Sequence, residues 1–168
     1  LQRVDPRVSL VAGTTIQTLS GLWLMSINLD VDQTTLALNS LMQGFSVGVL
    51  WVPLTVATFA TLDPKFRPEG SSVFHLLRNL GSSLFISIAV LIVSRSTASN
   101  YSRMTEYITP YNKTLTEPGL PPQWSLDGAA SLQTLSNEIL RQAAMIGYLN
   151  AFYLMAFAAL AAMPLAAF

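Results

Sequence analysis

The 168 residues carry nine basic and nine acidic side chains, so the net charge is zero and nothing in the balance points to nucleic acid or an acidic partner. Cysteine is absent and histidine occurs once, which excludes a disulfide framework and a thiolate metal site. Charged residues make up only 11 %, against roughly 25 % in soluble proteins, and they cluster between long apolar runs, so the chain reads as an all-α membrane protein.

The chain opens at Leu1 with neither a methionine nor a basic-then-apolar signal pattern, and it closes at Phe168 inside an apolar run. A piece of a longer polypeptide is therefore expected. After a charged lead-in to Pro6, a first span is predicted over residues 8–28, VSLVAGTTIQTLSGLWLMSIN, which has no charge but many hydroxyls and Gln17. A buried soluble helix is the competing reading. Asp30 and Asp32 break the pattern and read as solvated caps, with Asp32 or Thr34 starting the next helix.

A second span is predicted over residues 36–61, a stretch with no ionisable side chain. At about 1.5 Å per residue it exceeds the roughly 30 Å hydrocarbon core of a bilayer. Asn39, Gln43 and Ser46 share one helical face, and Ser40, Gly44 and Gly48 share another. Small residues at every fourth position admit a neighbouring backbone, so the Ser40, Gly44 and Gly48 face is expected to pack on protein. Amides in hydrocarbon need partners or water, so Asn39, Gln43 and Ser46 are expected to meet a cavity or a polar partner and are the substrate-path candidates. Pro53 removes one backbone hydrogen bond and predicts a bend.

The LDPKFRPEG stretch, residues 62–70, is a short polar turn. A third span follows over residues 71–94, in which His75 and Arg78 lie on one face. An intramembrane Arg is unfavourable enough that Arg78 should have a partner. A packing and hydrogen-bonding anchor is the favoured role, and His75 reads as a satisfied interfacial histidine. Residues 95–126 are polar and proline-rich and are read as an extramembrane loop, in which Asn100 and Asn112 head Asn-X-Ser/Thr matches that carry little weight. An amphipathic helix is predicted over 127–142, capped by Asp127, with Leu132, Leu135, Ile139 and Ile146 as its stripe and Glu138 and Arg141 paired. It leads into a fourth span over 143–168. The density of Arg3, Arg7, Lys65 and Arg67 favours the Leu1 end and the 62–70 turn on the cytoplasmic side, although Arg95, Arg103 and Lys113 in the long loop nearly balance them by count.

The run from Leu41 to Val90, with its QGF and PLT elements, the short polar turn and the F..LRNLG.S pattern, resembles the 14-span drug:proton antiporters of the major facilitator superfamily, the EmrB/QacA-like group. TPYN at Thr109 to Asn112 and RQAAMIGYL at Arg141 to Leu149 are similar to that group as well, so the resemblance covers nearly the whole chain. It implies that the four spans form part of the C-terminal lobe of a major facilitator fold, with the second lining the central cavity and the first and fourth as outer supports. It further implies a multi-pass protein of the bacterial cytoplasmic (inner) membrane, in contact with lipid, with the remaining spans of the same transporter and with a small amphipathic substrate, and with a periplasmic adaptor as a partner. The implied function is proton-coupled efflux of drugs or other amphipathic compounds by alternating access, without a further cofactor.

No Asp or Glu lies inside any of the four spans, so a coupling carboxylate is expected outside this chain. A small four-span structural or adaptor protein, acting by helix packing through Ser40, Gly44 and Gly48, is the alternative. An enzyme fits worst, because His75 is the only histidine and no HExxH or nucleotide-binding glycine pattern occurs.

Overall fold

The computed structural model describes residues 6–116, 121, 124–126 and 128–167. These residues form helices α1 (Pro6–Leu24), α2 (Gln33–Phe59), α3 (Arg67–Thr105), α4 (Lys113–Thr116) and α5 (Ala129–Ala167), with a 3-10 turn at Pro64–Phe66 before α3. No strand occurs among the described residues.

Three of these helices are long and apolar enough to cross a membrane, α2, α3 with its leading turn, and α5. This corrects the expectation of four such spans. Of the segment predicted as span 8–28, only the residues up to Leu24 are helical, as the 19-residue α1, and Thr14, Thr15, Gln17, Thr18 and Ser20 lower its apolarity. The hydroxyls are absorbed locally: Thr14 donates to the Leu10 carbonyl at 2.9 Å, Thr15 to Val11 at 2.7 Å and Thr18 to Thr14 at 2.9 Å.

Helix α2 starts where its cap dictates. The Asp32 carboxylate accepts from the Thr34 N–H at 3.3 Å. The helix runs through Pro53, which is buried, to Phe59. The turn that follows is set by Asp63, whose carboxylate accepts from the Lys65 N–H at 2.9 Å. Where the chain doubles back, a Cβ on Gly70 would come within 2.5 Å of Leu62.

Helix α3 corrects a second expectation, because residues 95–105, read as loop, continue the helix to Thr105. They contain neither Pro nor Gly, and their polar side chains bond back along the helix: Asn100 Nδ2 donates to the Ser96 carbonyl at 2.8 Å and Thr105 to Ser102 at 2.8 Å. Polarity there marks the end of the apolar stretch and not of the helix. Helix α5 carries the expected amphipathic segment straight into the fourth span as one element, Ala129–Ala167. Asp127, the predicted cap, lies outside the described residues. Gly128 precedes the helix at φ 97°, a left-handed conformation suited to glycine, and its carbonyl accepts from the Leu132 N–H at 3.2 Å. The predicted Glu138–Arg141 pair forms at 3.5 Å. At 39 residues each, α3 and α5 extend about 58 Å at 1.5 Å rise, longer than a bilayer core of about 30 Å.

The chain divides into two compact units, one comprising the residues up to Ala89 with those from Phe152 on, the other Val90–Ala151. In the first unit α1 lies along α2 at close range, since a Cβ on Gly13 would come within 2.5 Å of Leu50. The same helix meets α5 where Gly21 faces Ala156, at 3.0 Å from a built Cβ. In the second unit α3 meets α5 at Gly147, whose Cβ position is 2.9 Å from the Val93 carbonyl. The buried apolar residues are few and mostly small: Leu24, Leu135, Ala143, Ala151 and Ala156. Large side chains such as Leu41, Phe45 and Leu84 point outward, 65–70 % exposed, an inside-out distribution that suits lipid or further helices as the surrounding medium.

Candidate functional site

The polar face of α2 finds its partner on α1. Asn39 Oδ1 accepts from the Ser20 hydroxyl at 3.1 Å and from Gln43 Nε2 at 3.0 Å, while Asn39 Nδ2 donates to the Ser20 carbonyl at 3.1 Å. Two turns further on, the Ser46 hydroxyl donates to the Gly13 carbonyl at 2.8 Å. Asn39, Ser46 and Ser20 are buried and Gln43 half-buried. Of the two alternatives for this face, cavity or polar partner, the structure shows the partner. The reason is electrostatic, because hydroxyl and amide groups at low dielectric gain most by satisfying one another.

The small-residue face behaves in the opposite way. A Cβ built on Gly44 or Gly48 meets nothing within 4 Å, and Ser40 is exposed, its hydroxyl donating to its own helix at the Leu36 carbonyl, 2.8 Å away. The expectation that this face packs on protein is not met by the described residues. The close helix contacts instead use Gly13, Gly21 and Gly147, glycines that the sequence reading did not single out.

Helices α2 and α3 meet through aromatic rings. Phe74 contacts Trp51, with ring centres 6.1 Å apart and planes tilted by 56°, and Phe59, edge-on at 5.8 Å. The predicted partner of Arg78 is an aromatic one, as its guanidinium lies over the Trp51 ring at 4.3 Å. His75 is exposed, with its ring edge-on to Phe74 of the same helix at 5.7 Å. Next to this cluster, Thr55, Val56, Phe59 and Ala60 of α2 and Arg67 and Ser71 of α3 line an open groove of about 530 Å³.

A third polar arrangement went unread in the sequence. In the second unit, Asn150 Nδ2 donates to the Ser96 hydroxyl at 2.6 Å, and Tyr101 and Ser136 share a hydrogen bond at 2.9 Å. Ser136, Ala143, Gly147 and Asn150 are spaced as a small-and-polar stripe down α5, a signal hidden by the expectation that this helix is a bland outer one. Among the described residues no group of three or more His, Asp or Glu side chains could hold a metal ion.

Three apolar helices, hydrogen bonds between helices from Asn39, Ser46 and Asn150, and large apolar residues turned outward define a multi-pass membrane chain. Its relatives are efflux proteins. The chain is 26 % identical over 159 residues to the multidrug export protein EmrB of Haemophilus influenzae, covering 92 % of this chain and 31 % of that protein. It is 26 % identical over 147 residues to the fatty acid resistance protein FarB of Neisseria gonorrhoeae, covering 86 % and 29 %. Over 70 residues it is 30 % identical to the multidrug export protein EmrB of Escherichia coli K12, covering 42 % and 14 %. The chain is thus related to multidrug efflux proteins over most of its own length, and it spans less than a third of the length of these curated relatives. No family model matches the chain, and no solved structure matches it significantly.

Proposed function

We propose that this chain is part of a membrane transporter of the bacterial inner membrane that exports drugs or other amphipathic compounds by proton-coupled alternating access. The observation that carries the reading is the similarity to multidrug export proteins along 92 % of the chain, on a structure whose spans are apolar outside and hydrogen-bonded between helices. In this reading the helices belong to the C-terminal lobe of a major facilitator fold and the spans missing here come from the rest of the polypeptide. The open Ser40, Gly44 and Gly48 face is where such spans pack, since small residues admit a close backbone. The hydrogen-bonded Asn39, Gln43 and Ser46 support the lobe from inside.

Coupling to protons requires a group that changes charge within the membrane, and the three apolar helices hold no Asp or Glu between residues 36 and 61, 71 and 94, or 143 and 167. The coupling carboxylate therefore sits outside this chain. A periplasmic adaptor as partner and an amphipathic cargo in the class named for the relatives, drugs or fatty acids, belong to the same proposal.

The test is export by the full-length natural transporter in a host stripped of its own efflux pumps. Loss of accumulated ethidium or decanoate that stops when the proton gradient is collapsed supports the reading. Accumulation equal to that of the empty host overturns it.

A further inference from the structure

We propose that Arg78, laid on the Trp51 ring, binds the carboxylate head of a transported amphipathic anion, an assignment that rests on the export reading and goes beyond the role of packing anchor.

Its guanidinium carbon lies 4.3 Å from the centre of the indole ring, a cation–π contact, and its N–H fork makes no hydrogen bond among the described residues. That fork matches the two oxygens of a carboxylate. Among the described residues no carboxylate lies within ion-pair distance of Arg78 and no hydrogen bond consumes its donors. Arg78 is exposed and is not drawn to the helix end. It lies eleven residues beyond the start of α3, about 16 Å at helical rise, level with a Trp51 that is eight residues before the end of α2. A cation fixed at that depth, its charge only partly met by an aromatic ring, attracts an anion from outside the chain.

The surroundings favour an amphiphile over a bare ion. Trp51, Phe74 and Phe59 form a continuous aromatic wall, with ring centres 6.1 and 5.8 Å apart, leading from Arg78 to the groove lined by Val56, Phe59 and Ala60. The head of a carboxylate amphiphile would meet the guanidinium fork while its hydrocarbon body lies along the rings, a pairing of one fixed charge with an apolar wall that is common in ligand sites.

The test is equilibrium binding of radiolabelled decanoate and, separately, of dodecyltrimethylammonium to the purified full-length natural transporter. Arg78→Gln is expected to weaken decanoate binding by about tenfold or more and to change binding of the cation less than about twofold. Lys65→Gln, in the turn before α3 and outside the groove, is expected to change decanoate binding less than about twofold, since a charge exposed in a turn is screened. Should Arg78→Gln not fold, Arg78→Lys keeps the charge without the planar fork, and a selective loss of decanoate affinity then supports the site. Decanoate affinity unchanged in either Arg78 variant overturns the proposal and assigns the anion to a side chain elsewhere in the transporter. Equal loss for both probes, or equal loss in Lys65→Gln, overturns it in favour of a structural role or diffuse attraction. A wild-type protein that binds no decanoate overturns it as well. A wild-type protein that binds decanoate but exports neither probe overturns the transport reading alone.

Discussion

The Ser46 hydroxyl donates to the Gly13 carbonyl at 2.8 Å, tying α2 to α1 at a point where both residues are buried. Ser46 is fully buried in that seam. Ser46→Ala in the full-length transporter is expected to lower stability by about 1 kcal/mol, the worth of one buried hydrogen bond. Ser46→Leu adds the cost of overpacking, about 1–3 kcal/mol more. Thermal unfolding in detergent checks both, and a leucine variant as stable as wild type would show that the seam is loose.

Asn39 separates a packing role from a substrate-path role. It makes three hydrogen bonds, to the Ser20 hydroxyl, the Ser20 carbonyl and Gln43. Asn39→Leu removes all three and leaves Ser20 and Gln43 short of partners, an expected loss of about 2–3 kcal/mol. Resistance to every exported compound should then fall together with protein abundance. A variant of normal abundance with a changed substrate range would return this face to the transport path.

Glycines on the two sides of the helix pair should respond differently. A Cβ on Gly13 lands 2.5 Å from Leu50 Cγ, so Gly13→Ala is expected to destabilise by about 1–3 kcal/mol. Gly48 meets nothing within 4 Å inside this chain. If the remaining spans pack on that face, Gly48→Leu lowers the stability of the full-length transporter, and unchanged stability assigns the face to lipid.

The contact between α3 and α5 in the second unit depends on Gly147, because a Cβ there would sit 2.6 Å from Thr97 Oγ1 and 2.9 Å from the Val93 carbonyl. The hydroxyl can turn aside and the backbone cannot. Gly147→Ala is therefore expected to destabilise by about 1–3 kcal/mol even when combined with Thr97→Ala, measured again by thermal unfolding.

The Glu138–Arg141 pair should matter little. Its side chains are 57 % and 33 % exposed for Arg141 and Glu138, and such pairs contribute about 0–1 kcal/mol. Glu138→Gln is expected to leave the unfolding temperature of the full-length protein within about 1 °C at moderate salt.

Much of the fold was legible locally. The Asp32 cap, the apolar runs of α2, α3 and α5 and the 62–70 turn follow from composition and spacing, since a helix that crosses a membrane satisfies its backbone within itself. The reading failed where polarity stood in for structure. Residues 95–105 are polar and helical; over α1 the reading erred the other way, counting as a span a 19-residue helix that is not among the three long and apolar enough to cross a membrane.

By itself the sequence determined that the chain is helical, built of long apolar runs and sparing with charge, and it carried the resemblance to efflux transporters, because these depend on composition, periodicity and residue order along one chain. Only the tertiary structure decided which faces meet. It put Asn39 and Ser46 against α1, left Gly44 and Gly48 open and set Arg78 on Trp51. Two faces of one helix a third of a turn apart offer comparable surfaces, and the choice between them belongs to the neighbouring helix: Gly13 and Ser20 on α1 supply the close approach and the hydrogen-bond partners that the polar face requires.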